Sequence, residues 1–137
     1  EQELEKIAAS NKIQLLGLES VDEQLNIFNH IPFDDQMEMV FSELNNGQKS
    51  IQDFKDLQQA YKEQALSILC DFASNEKLAG NTALFLDNRN KIWMPKMIDM
   101  MGEESVFFAV GAGHLCGEHG LIALFKKEGF DLKAIKL

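Results

Sequence analysis

The chain has 137 residues, enough for one domain with a sizeable core, and its 45% hydrophobic and 26% charged residues are ordinary for a globular protein. A net charge of -9 argues against the basic face that nucleic acid or anionic lipid requires as a partner. No apolar run approaches the ~18–20 residues of a membrane span, and no signal peptide is visible. The chain starts at Glu1 rather than Met, so it is expected to be a trimmed piece of a longer protein. Cys70 and Cys116 form no C-x-x-C pattern and no dense framework; Cys70, in ALSILCDF, reads as core filler, and the pair does not reveal a redox compartment.

In chain order, residues 1–10 read as the end of a helix. KIQLLGLE, residues 12–19, reads as a buried strand through Ile13, Leu15, Leu16 and Leu18. Ser20 with Glu23 three residues on is a capping-box pattern, and Val21, Leu25 and Phe28 then fall on one helical face. Glu19 therefore sits at a strand-to-helix junction. Pro32 breaks the chain, and Asp34 or Asp35 is expected to cap the next helix. That helix carries Met37, Val40, Phe41 and Leu44, and ends at Asn45-Asn46-Gly47.

A longer helix from Ser50 carries Ile51, Phe54, Leu57 and Tyr61, and is expected to break near residue 64 before Ile68, Leu69 and Phe72. Gly80 and Asn81 punctuate ahead of a helix with Leu84, Phe85, Ile92 and Trp93, which Pro95 should kink or split. A strand at 105–110, a helix at 119–128 closed by Gly129, and a strand at 130–136 complete the chain. The predicted class is α/β: a small, largely parallel sheet of about three strands, with a helical block (approximately 34–101) inserted between the first and second. The last unit reads as βαβ with a right-handed crossover.

In open α/β sheets, ligands bind beyond the carboxyl ends of the strands. Glu19 and His114 take that position here, and a carboxylate with an imidazole can hold a divalent metal or move protons. Gly111 and Gly113 allow positive φ and close backbone approach, and free N–H groups at a helix start favour anions. The bland alternative makes Glu19 part of its helix N-terminus and His114 a hydrogen-bonded loop residue. A dinucleotide loop fits poorly, because Gly111, Gly113 and Gly117 are spaced one residue too far and Asp131 opens rather than closes the next strand. Arg89 and Asn90, on one turn beside Trp93, offer a guanidinium fork and an amide that can clamp a carboxylate or hold Glu19. Glu118 and His119 match no trusted metal spacing, and His30 suits a helix C-terminus. Met37, Met39 and the methionines of 94–101 read as core filler.

FFAVGAGHLCGEHGLIALFKKEGFDLKAI resembles the C-terminal signature of the TraB/GumN family: an apolar strand, a V-G-x-x-H loop, a G-x-x-G-L segment, a helix and a strand. RNKIWMPKM (89–97) and GLESVDEQLNIF (17–28) resemble two further family segments, in the family's order. The resemblance implies relation to the Tiki metal-dependent proteases and, more distantly, to erythromycin esterases and ChaN-like haem-binding proteins. It implies two G-x-x-H motifs, a glutamate and an arginine in one pocket. Gly111-Ala112-Gly113-His114 matches the second of those motifs, Glu19 the glutamate and Arg89 the arginine.

The first motif is expected upstream of Glu1, so that residues 1–137 form the C-terminal part of a single domain. The implied activity is metal-assisted hydrolysis of a peptide or small molecule, with manganese, cobalt or zinc on His114 and an upstream histidine, Glu19 as a further ligand or the general base, Arg89 facing the developing charge or the substrate, and Asn90, Gly111 and Gly113 in support. The alternative is a protein that captures a peptide or pheromone without turnover. Weak or no metal binding by this chain alone, self-association through an uncovered sheet and an extracytoplasmic address are further expectations.

Overall fold

The computed structural model describes residues 2–75 and 81–135, and Glu1, Gly80 and Lys136 of the predicted elements lie outside them. Among the described residues seven α-helices follow in order: α1 (Gln2–Ser10), α2 (Val21–Leu25), α3 (Phe33–Asn45), α4 (Gly47–Lys62), α5 (Leu66–Asn75), α6 (Asn88–Glu103) and α7 (Leu121–Lys127). A 3-10 turn (Asn26–His30) continues α2, a π-helical turn (Ala83–Asp87) leads into α6, and a second 3-10 turn (Ala112–Leu115) precedes α7.

The predicted α/β class is corrected: among the described residues the chain is helical, and no strand pairs with another. The segments 13–18, 105–110 and 130–135 have strand-like composition, but a strand exists only when a neighbour satisfies its N–H and C=O groups. None of the three makes such a ladder here. The extended run at 105–110 nevertheless has a covered side. Phe108 and Val110 pack against α6 and α7 while Phe107, 80% exposed, faces solvent. Segment 13–18 also departs from the buried strand expected of it, since Ile13, Leu15 and Leu16 are exposed and Leu18 alone of its large apolar residues packs against the core.

The core is the contact between α6 and α7. Trp93, Met94, Met97 and Leu121 are buried, flanked by Leu18, Ile98, Phe108, Val110, Leu115, Leu124 and Phe125. The side chains of Met94 and Met97 thus fill the core as expected. α6 continues through Pro95 without splitting. The helix boundaries follow local chemistry. At α2 the Ser20 hydroxyl accepts from Glu23 N (3.1 Å) while the Glu23 carboxylate accepts from Ser20 N (2.7 Å), the reciprocal pair expected of a capping box. Those hydrogen bonds hold the Glu23 carboxyl below the usual carboxylate range. At α3 the cap is Pro32, and Asp34 and Asp35 lie inside the first turn, where they suit the helix dipole instead of capping it.

The C-terminus of α7 is a Schellman motif: Phe130 N donates to Phe125 O (3.0 Å), Gly129 N to Lys126 O (3.1 Å), and the rings of Phe125 and Phe130 meet edge to face at 5.4 Å. Gly129 supplies the positive φ of +89° that this motif needs.

One covalent link was not anticipated. Cys70 on α5 and Cys116, just after the second 3-10 turn, form a disulfide with a Cα–Cα distance of 5.3 Å. Cys70 is therefore a cross-link rather than core filler. A spacing of 46 residues gives no local signal that the two meet, because α5 and the 112–116 turn are brought together only by packing.

Candidate functional site

The first turn and a half of α6 carries Arg89, Asn90 and Trp93. Arg89 and Trp93 are four residues apart and share a face, while Asn90 lies a step around the helix. The Arg89 face meets the end of the extended segment at Leu18 and Glu19; the Asn90 face meets the turn that contains His114 and the loop up to His119.

Arg89 grips Glu19 with two parallel hydrogen bonds, from Nε to Oε2 (3.1 Å) and from Nη2 to Oε1 (2.5 Å). This fork-to-carboxylate geometry is the strong form of the interaction. A third hydrogen bond runs from Arg89 Nη1 to Phe85 O (2.8 Å), inside the π-helical turn, so the widened turn helps to aim the guanidinium. Trp93 Nε1 also donates to Glu19 Oε2 (3.2 Å), and the guanidinium carbon lies 4.8 Å from the Trp93 ring centroid. Glu19 thus leaves the capping of α2 to Ser20 and turns toward α6. Lys96, one turn on, donates to Leu18 O (3.0 Å) and fixes the backbone beside it.

On the other side, Trp93 packs against the His114 imidazole with centroids 4.4 Å apart. Asn90 is fully buried. Its Nδ2 lies 3.1 Å from His114 O and 2.9 Å from His119 O, and its Oδ1 lies 2.7 Å from His114 Nδ1. His114 is only 6% exposed. Its pKa falls from 6.5 to about 4, first through burial and then through the nearby Arg89 cation, partly opposed by the Glu19 carboxylate. The ring is therefore neutral at pH 7.

Glu19, Arg89, Asn90 and His114, all singled out in the sequence, thus form one cluster. Glu19 and His114 meet through Trp93, which sequence reasoning set beside Arg89 without a role. Its four-residue spacing from Arg89 was the available signal. Gly111 and Gly113 do not adopt positive φ; Gly117 (+77°) and Gly129 do. Gly113 instead packs closely, since a Cβ there would meet Leu86 Cδ1 at 3.4 Å. Gly120 is the position where close approach decides the residue: a Cβ would lie 2.6 Å from Leu115 O and closer still to the Cys116 carbonyl. His119 contributes its carbonyl, and the His30 ring meets Asn26 O (3.0 Å) away from this cluster.

The low pKa of His114 has a consequence for stability. The unfolded chain takes up a proton near pH 6.5, whereas the folded chain resists until about pH 4. The stability carried by the neutral ring is complete above pH 6.5, declines as pH falls from 6.5 toward 4, and changes no further below that. The decline is at most about 3 kcal/mol. Urea unfolding of the wild type and of His114→Gln at pH 7.5 and pH 4.5 isolates it from the carboxylates; equal pH dependence in the two proteins would contradict this value.

The profile of the TraB/PrgY/gumN family matches residues 1–134. The chain belongs to this family. A curated relative, a metalloprotease TIKI homolog from Nematostella vectensis, is 39% identical over 51 residues, which are 35% of this chain and 11% of that protein. The match thus spans about a tenth of that relative's length. No solved structure matches the chain.

The metal in that relative's name can be tested against the residues present. Among the described residues, no three His, Cys, Asp or Glu side chains converge to hold an ion. Both oxygens of Glu19 are engaged by Arg89 and Trp93, and Nδ1 of His114 is engaged by Asn90. The cluster has one uncommitted imidazole nitrogen, which falls short of the three protein ligands of a catalytic site. The described residues do not fit a metal centre by themselves.

Proposed function

We propose that this chain is the part of a peptidase-like hydrolase that supplies a histidine base and a fixed guanidinium. The observation that carries the reading is the His114 imidazole, held neutral and nearly buried against Trp93, in the same cluster as Arg89. A neutral imidazole can take a proton from an attacking water. Arg89 commits three of its five N–H groups to Glu19 and Phe85, which leaves two to meet charge developing on a carbonyl oxygen. Glu19 acts as the group that orients Arg89. The substrate class, a peptide or a small molecule, rests on likeness to the Tiki relative.

Turnover of a peptide library by the full-length protein tests this reading. Loss of turnover in His114→Gln, with the helical circular dichroism retained, is the expected result; unchanged turnover would sink it. Loss on treatment with a chelator would show that a metal held with residues outside this chain also takes part.

The second reading is capture of a peptide without turnover. The Glu19 carboxylate favours it, because its two oxygens are already satisfied by Arg89 and Trp93. Saturable peptide binding with no cleavage would establish it.

Two further properties accompany either reading. An extracytoplasmic address is supported by the disulfide, since such bonds persist in oxidising compartments. Alkylation of both cysteines in protein taken from native cells without reductant would contradict it. Self-association is supported by the exposed apolar residues Ile13, Leu15, Leu16, Phe107 and Ile135. The -9 charge opposes it. Sedimentation should therefore show association that strengthens with salt, and a monomer at every salt concentration would refute it.

A further inference from the structure

Asn90 is the one polar residue of the cluster with no exposure at all, and its amide has a readable orientation. One terminal atom lies within hydrogen-bond distance of two backbone carbonyls, those of His114 and His119. Carbonyls only accept, so that atom is the NH2 nitrogen. The other terminal atom is then the amide oxygen, 2.7 Å from His114 Nδ1. An amide oxygen also only accepts, so Nδ1 must carry a hydrogen. A neutral imidazole carries a single ring hydrogen, so in that form Nε2 is left with its lone pair. In water the neutral imidazole favours the opposite tautomer, with the hydrogen on Nε2. The buried amide therefore imposes a state that the side chain would not choose alone.

We propose that Asn90 is a positioning residue that locks His114 as the Nδ1–H tautomer and so selects Nε2 as the atom left free to accept a proton. What Nε2 does in a reaction rests on the hydrolytic reading; the tautomer does not. The two carbonyl bonds make the lock hard to slip. Flipping the amide would set its oxygen against the carbonyls of His114 and His119, at the cost of both hydrogen bonds and with like dipoles opposed. The same two bonds tie the residue that bears the imidazole to the far end of its own loop, just before Gly120 and α7.

The test is long-range proton–nitrogen correlation on imidazole-labelled protein at pH 7, with no metal and no substrate. In the wild type, Nδ1 of His114 should show the protonated nitrogen shift and Nε2 the lone-pair shift. The reverse assignment would overturn the proposal and leave the hydrolase reading standing. Asn90→Ala removes the acceptor, and more than half of the His114 population should move to the Nε2–H form. Asn90→Asp keeps an acceptor beside Nδ1 while removing both donors, and should retain Nδ1–H. An Asn90→Ala protein that keeps Nδ1–H would show that the surrounding fold, not Asn90, sets the tautomer. If Asn90→Ala does not fold, Asn90→Asp decides: a shift to Nε2–H with the acceptor still present overturns the assignment. Absence of turnover in the full-length protein would count against the hydrolase reading without touching these spectra.

Discussion

Removing the Cys70–Cys116 disulfide, by reductant or by a Cys70→Ser/Cys116→Ser double variant, is expected to lower the unfolding free energy by about 4 kcal/mol. The value follows from the entropy that a cross-link denies to the unfolded chain, with a separation of 46 residues between the cysteines. The loss should concentrate where the bond is anchored. Cys116 lies two residues beyond His114, and Gly113 packs on Leu86 and Ala73, so the 112–116 turn is held to α5 and to the π-helical turn together. Urea unfolding with and without reductant gives the total, and amide exchange at residues 112–116 gives its location. A loss below about 1 kcal/mol would mean that packing alone seats the turn.

Arg89→Met is expected to destabilise the protein by about 3 kcal/mol, near the lower end for breaking a buried pair, because it leaves Glu19 charged and largely desolvated against Trp93. The Arg89 side chain keeps 16% of its surface exposed and the Glu19 side chain 15%, so water relieves part of the cost. Glu19→Gln should cost less, since a neutral amide still accepts from Trp93. The double variant should recover part of the Arg89→Met loss, because the stranded charge is then gone. Chemical unfolding of the four proteins gives the coupling, expected at about 2 kcal/mol. Additive single effects would place the pair among surface ion pairs that contribute little.

The parts of this structure that were legible in the sequence are those decided within a few residues. Ser20 and Glu23 close a capping box because their spacing is the box, and Gly129 ends α7 because only a residue tolerant of positive φ completes that turn. Arg89 reaching Glu19 was legible as chemistry, a fork beside a carboxylate, although 70 residues separate them. The sheet was misread for a physical reason. The apolar run at 106–110 reports that the segment is partly covered, and it does not say by what. Here α6 and α7 cover Phe108 and Val110, and no second strand is needed. The disulfide was invisible because nothing near either cysteine encodes its partner. Trp93 was seen as a neighbour rather than as the wall shared by Glu19 and His114, since that role exists only once the extended segment and the 112–115 turn arrive on opposite sides of α6.

The bond between Cys70 and Cys116 also divides the cluster topologically. Arg89, Asn90, Trp93 and His114 all lie on the ring of chain that it closes, while Glu19 lies outside on the N-terminal tail. Four of the five residues are members of one covalent circle, which bounds their separation even when local structure melts. Glu19 joins them by noncovalent contact alone, so its arrival is the remaining step in assembling the cluster, governed by the concentration that an N-terminal tether gives it near Arg89. A cut in the chain between Leu25 and Cys70 would release Glu19 as a separable fragment, whereas a cut between Cys70 and Cys116 would leave every piece of the circle attached.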